Sequence, residues 1–125
     1  LRTVLFAVAA IELPLDLPVK IDIVERTLPN GLRVLLLPDS TRRVVSYQTW
    51  VRAGSVDETR GKTGLAHLFE HLMFKGTEKF GPRQFFDLLE SKGAEVNAYT
   101  TRDYTVFYET LHPDWLDITI ELESD

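Results

Sequence analysis

The 125-residue sequence contains no cysteine. That excludes disulfides and cysteine-type zinc sites, and it leaves the redox compartment open. It also lacks the ~20 consecutive apolar residues that a membrane-spanning helix needs; residues 4–11 form an apolar run of only eight. Positive charge is not in excess: the formal net charge is −5, which argues against a general affinity for nucleic acid or anionic lipid. No internal repeat and no low-complexity tract occurs. A chain this short with 44% hydrophobic residues can bury a single core.

Residues 1–20 read as the tail of a secretory signal peptide followed by a linker. One basic residue, a short apolar run and Ala7-Val8-Ala9 resemble a signal-peptide end, and Pro14 and Pro18 mark an extended connection. An apolar N-terminal strand is the alternative. The signal reading places the protein in a bacterial periplasm or outside the cell.

From residue 21 the chain predicts a fold. Strands are expected over 21–28, 32–37 and 44–51, with turns at Pro29-Asn30-Gly31 and at 38–41. Residues 53–61 form a loop whose Asp57, Glu58 and Arg60 are read as solvated charges. A helix over 64–74 follows, with Thr63 as its cap and Gly76 as its left-handed stop. Pro82 opens a second helix whose apolar stripe is Phe85, Phe86, Leu88 and Leu89, and Gly93 ends it. Residues 95–100 and 104–110 form a hairpin about Thr101-Arg102-Asp103. A last helix begins after His112, which is read as a capping or surface residue. Strands with helices grouped between them predict an α+β fold: one antiparallel-dominated sheet with helices packed on one face.

The stretch that carries chemistry is His67-Leu68-Phe69-Glu70-His71. At ~100° per residue, with His67 at 0°, His71 falls at about 40° and Glu70 at about 300° on the helical wheel. The three polar groups share one narrow sector, into which only Phe74 intrudes. Leu65, Ala66, Leu68, Phe69, Leu72 and Met73 fill the opposite arc. The pattern therefore predicts a helix buried on most sides, its polar face opening on a cleft. Two His at i and i+4 lie about 6 Å apart along the axis and can turn their rings to one ion, and neutral imidazole is a good zinc ligand. A catalytic zinc needs a base for its water, and Glu70 is close enough to serve without ligating. A core helix that merely holds two His and a Glu would leave buried polar groups to satisfy, at ~1–3 kcal/mol each.

His67-Leu-Phe-Glu70-His71, then Leu-Met-Phe-Lys-Gly-Thr77 and later Gly93-Ala-Glu-Val-Asn97-Ala98-Tyr99-Thr100, resemble the inverted-zincin peptidases of the insulinase/pitrilysin family. These include mitochondrial processing peptidases and their bacterial relatives. The resemblance runs from about Val24 to the end and implies that residues 21–125 are the N-terminal part of such a metallopeptidase domain. It implies a Zn2+ endopeptidase acting on peptides or unfolded proteins, with His67 and His71 as ligands and Glu70 as general base. It implies further that Asn97, Ala98 and Tyr99 bind substrate along a strand edge, and that a second homologous subunit or domain completes the enzyme. The family's third ligand is a Glu on a later helix, beyond Asp125, so no residue here is given that role. Two alternatives stand beside this reading. One is a non-catalytic partner subunit, which the intact His and Glu argue against. The other is an α+β binding module with an adventitious metal-binding helix.

Overall fold

A computed structural model describes residues 22–125; the signal and linker expected over residues 1–20 lie outside the described residues. Strands β1 (Val24–Thr27) and β2 (Arg33–Leu36) pair antiparallel. Their turn is closed by the Leu28 N–H donating to the Leu32 carbonyl at 2.8 Å, and Gly31 supplies the left-handed residue at φ +86°. Next come β3 (Val45–Val51), α1 (Leu65–Met73) and α2 (Gln84–Glu90). β4 (Glu95–Thr100), β5 (Thr105–Leu111) and α3 (Leu116–Ser124) complete the order.

The class is α+β with antiparallel pairing throughout, as the pattern predicts. The strands divide, however, into a two-stranded ribbon, β1–β2, and a three-stranded sheet in the order β3-β5-β4. Each ribbon strand is only four residues long, and the loop between Leu36 and Val45 carries the chain away before β3 begins. His112 caps the short 3-10 turn Pro113–Trp115, its ring accepting from the Asp114 N–H at 3.4 Å.

Register decides which side chains meet the helices. Tyr47 lies opposite Glu109, which lies opposite Val96. Ala98 pairs with Phe107 and Thr100 with Thr105. Successive side chains alternate between faces, so Val45, Tyr47, Val96, Ala98, Thr100, Phe107, Glu109 and Leu111 share one face. All three helices cover it. Leu89 of α2, Leu111 of β5 and Leu122 of α3 form the buried core with Ala94, and Tyr47, Val96 and Trp115 pack around them.

The helix α1 corrects an expectation. Its apolar arc is exposed, with Leu68, Leu72 and Met73 about half exposed and Phe69 at 62%. The side turned to the sheet is the sector of Glu70, which is 9% exposed, and Phe74. Phe74 sits within 4.8 Å of the Phe86 ring, 5.2 Å of Phe85 and 5.8 Å of Phe107, centroid to centroid. This aromatic contact fixes the rotation of α1, and among the described residues no element covers the opposite arc.

Glu109 is fully buried on the central strand, and no N–H or hydroxyl donor meets its carboxyl oxygens. The carboxyl of Glu123 faces it, and a proton on Glu109 bridges the two. Burial, reinforced by the neighbouring Glu123 of α3, pushes its pKa up to about 9. Glu123 is raised in the same direction, again chiefly by burial. A carboxyl whose folded pKa exceeds its unfolded value near 4.5 holds an extra proton when folded. Its contribution is full below pH 4.5 and is lost as pH rises toward 9. Glu109→Gln keeps the shape and cannot ionise. Urea unfolding at pH 5 and pH 8 should show the variant ~1–3 kcal/mol more stable than the parent at pH 8, with a flatter pH dependence; equal slopes would place the titration elsewhere.

Candidate active site

An open cleft of about 530 Å³ lies between α1, the loop before it and β4. Its lining includes Glu58, His67, Glu70, Ala98, Tyr99 and Thr100. One wall is helix and the other an edge strand, because β4 ends the order β3-β5-β4.

The helical wall begins at Gly64, the N-cap residue, in the left-handed region at φ +90°. Thr63, expected as the cap, does not serve. Glu58 reaches across instead: Gly64 N–H donates to its Oε2 at 2.8 Å and Ala66 N–H to its Oε1 at 2.9 Å. A carboxylate is doubly suited here, satisfying orphan N–H groups and meeting the positive end of the helix. Glu58 is therefore no solvated loop charge. Asp57 also has a fixed task, accepting the Gly54 N–H at 3.0 Å. Gly54 lies so close to the β4–β5 turn that a Cβ would stand 2.4 Å from the Arg102 carbonyl oxygen.

His67 and His71 are exposed, and their Nε2 atoms stand 3.0 Å apart, with ring centroids 4.6 Å apart. Two nitrogens bound tetrahedrally to one zinc at ~2.0–2.1 Å are themselves ~3.3 Å apart. The separation is thus close to that of two ligands on one ion. Among the described residues no group of three or more His, Asp or Glu side chains gathers to hold a metal. Glu70 points from the same helix toward β4, where the Thr100 hydroxyl donates to its Oε2. Thr105 Oγ1 lies 3.3 Å from Thr100 Oγ1 and donates to the Ala53 carbonyl at 3.0 Å.

On the strand wall, Thr101 N–H donates to the Tyr104 carbonyl at 2.8 Å. Hydrogen-bonded and non-bonded pairs alternate along an antiparallel ladder, so Ala98–Phe107 is a non-bonded pair. The Ala98 N–H and C=O consequently point away from β5, to the free edge. The Ala98 N–H is met there by Asn97 Oδ1 at 2.9 Å. Ala98 and Tyr99 line the cleft; Asn97 does not. The Tyr99 ring stands on the sheet face away from the helices, 6.5 Å from Tyr104 and 6.2 Å from Tyr108.

The structure thus brings His67 and Glu70 together with Ala98 and Tyr99 around one cleft, while His71 lines no part of it and reaches the site through its 3.0 Å approach to His67. Sequence reasoning missed Glu58 and the use of Thr100. Glu58 caps from six residues before Gly64, outside the S/T-x-x-E spacing that signals a cap locally. Thr100 was legible in principle, since its spacing from Ala98 puts its side chain on the helix-facing side.

The chain is similar to known peptidases. The family described as "Insulinase (Peptidase family M16)" matches residues 33–125. An uncharacterized zinc protease of Streptomyces coelicolor is 34% identical over 99 residues, 79% of this chain and 22% of that protein. Mitochondrial-processing peptidase subunit beta of Bos taurus is 40% identical over 101 residues, 78% of this chain and 20% of that one. The crystal structure of a protease from Helicobacter pylori superposes with a TM-score of 0.80 at 32% identity, over 84% of this chain and 25% of its own. The chain spans between a fifth and a quarter of the length of these relatives.

The Glu58 cap is open to direct test. Glu58→Ala strips two N–H groups of their acceptor and should lower stability by ~1–2 kcal/mol. Glu58→Gln should lose less, since one amide oxygen remains. Thermal unfolding of the two variants checks the order, and an unchanged melting temperature for Glu58→Ala would remove the cap from the account.

Proposed function

The chain belongs to the insulinase family, peptidase family M16, and on that premise we propose that the whole protein is a zinc-dependent endopeptidase hydrolysing peptides or unfolded polypeptides. What carries the reading is the 3.0 Å approach of His67 Nε2 to His71 Nε2, with Glu70 facing the same cleft. His67 and His71 hold the ion. Zinc, when bound, supplies a Lewis acid that polarises the scissile carbonyl and acidifies a water. Glu70 takes the proton of the attacking water and later hands it to the leaving amine.

Substrate lies along β4. A peptidase of unfolded chains must grip backbone, because side chains vary, and a free strand edge offers backbone hydrogen bonds. The outward N–H and C=O of Ala98 are such an edge. A substrate carbonyl takes the place of Asn97 Oδ1 on the Ala98 N–H, and the freed Asn97 amide turns to the substrate. The relatives' greater length supplies polypeptide to cover the apolar arc of α1. The relative named as a beta subunit supports a second homologous subunit or domain as partner. The reading of residues 1–20 as an export signal puts the protein in the bacterial periplasm or outside the cell.

Glu70→Gln in the full-length protein should abolish peptide hydrolysis with zinc still bound, because the amide keeps the shape but accepts no proton. General-base catalysis is worth ~10²–10⁴-fold, so retention of more than about a tenth of turnover would falsify the assignment. A second variant tests the edge. Ala98→Pro removes an N–H that takes no part in the β4–β5 ladder, so the fold should survive. Its kcat/KM should nevertheless fall ~10-fold or more with zinc content unchanged, the loss of a backbone bond at a buried interface. Full activity in a folded Ala98→Pro protein would take the substrate off this strand.

A further inference from the structure

We propose that Thr100 is the positioning residue for Glu70, holding one carboxylate oxygen so that the other faces the cleft; this rests on the reading of Glu70 as general base. Glu70 is 9% exposed, and a carboxylate this far from water needs a donor. The one that meets it is the Thr100 hydroxyl, on Oε2. A hydrogen bond to an ionised acceptor is among the stronger kinds, and this one joins two different elements, α1 and β4.

Thr100 is itself held. It pairs in register with Thr105 at the mouth of the hairpin, and Thr105 Oγ1 lies 3.3 Å from its hydroxyl. Thr105 is buried and is tied by its own hydroxyl to the Ala53 carbonyl at 3.0 Å. The single Thr105 proton goes to the Ala53 carbonyl and the single Thr100 proton to Glu70. Thr105 therefore confines Thr100 by contact in register, and the carboxylate is anchored to β4 through one hydroxyl. The anchor has a mechanistic use. A base must stay within hydrogen-bond reach of the proton it removes, and a misplacement of ~1 Å can cost ~10²-fold in rate. Engagement of Oε2 by Thr100 leaves Oε1 as the oxygen that takes the proton. Thr100 stands two residues from Ala98 on the same strand, roughly 7 Å along it. One short piece of β4 therefore presents backbone at its edge and fixes the base from its inner face. A peptide paired at Ala98 is set in register with Glu70 by the strand itself.

The experiment uses the full-length protein with Thr100→Val, Thr100→Ser and Glu70→Gln. Thr100→Val is close to isosteric and lacks the donor. Its kcat should fall roughly 10–100-fold, with KM within about twofold and zinc content unchanged, while Thr100→Ser should return to within about threefold of the parent. A second readout needs no activity. In metal-free protein, a double-mutant cycle of Thr100→Val with Glu70→Ala should show coupling of at least about fivefold in the unfolding constant. If Thr100→Val does not fold, Thr100→Ala carries the same comparisons. Loss of activity in Glu70→Gln with none in Thr100→Val overturns the positioning role and leaves the base in place. Retained activity in Glu70→Gln removes the base reading, and the metal-free cycle then still reports whether the contact exists. Absent coupling, or a Ser variant as slow as the Val variant, also overturns the inference.

Discussion

The placement of α1 depends on one side chain, Phe74. It is the residue that breaks the polar sector of the helix, and it is the residue the aromatic cluster takes in, against Phe85, Phe86 and Phe107. Helical spacing does the rest. Glu70 is one turn before Phe74, so seating Phe74 on the sheet presses the Glu70 carboxyl against β4 and Thr100. His67 and His71 lie on the flank of the same sector and come out at the rim, exposed and 3.0 Å apart at Nε2. The grouping of two imidazoles and a carboxylate thus follows from packing one phenyl ring.

β4 is the complementary part. Alternation along a strand gives it two uses in consecutive residues. Ala98 and Thr100 send side chains to the helices, Asn97 and Tyr99 to the other face, and the backbone of Ala98 looks outward at the edge. An edge strand left free is ordinarily an association hazard. Here Asn97 covers the exposed Ala98 N–H with its own side-chain oxygen at 2.9 Å, a cover that a bound backbone can displace.

Much of this was legible. The Asn30-Gly31 turn, the hairpin about Thr101-Arg102-Asp103, the glycine stops and the grouping of His67, Glu70 and His71 rest on local rules that hold, whereas the local expectation of a Thr63 cap fails. The rotation of α1 was not legible, because the hydrophobic arc outweighs Phe74 in any sum over the wheel. A single ring with three aromatic partners nevertheless sets the contact, and Leu68, Phe69, Leu72 and Met73 remain exposed. The split into ribbon and sheet was likewise hidden, since strand patterns tell which residues extend and not which strands meet. Glu58 escaped for a third reason: its bond to Gly64 and Ala66 is made across a loop, and no local spacing announces it.

Two buried carboxyls on the same side of the sheet show how surroundings assign roles. Glu109 lies between Tyr47 and Val96 in register, beneath α3, with the Glu123 carboxyl alongside as its hydrogen-bond partner. Its pKa near 9 keeps it protonated at neutral pH, and it lines no part of the cleft. Glu70 has a hydroxyl donor on one oxygen and a cleft before it. Environment rather than residue type separates such pairs. Glu70 faces the cleft, whereas Glu109 faces the carboxyl of Glu123. Burial alone therefore does not fix what a carboxyl can do; what meets each oxygen, and whether a cleft lies before it, does.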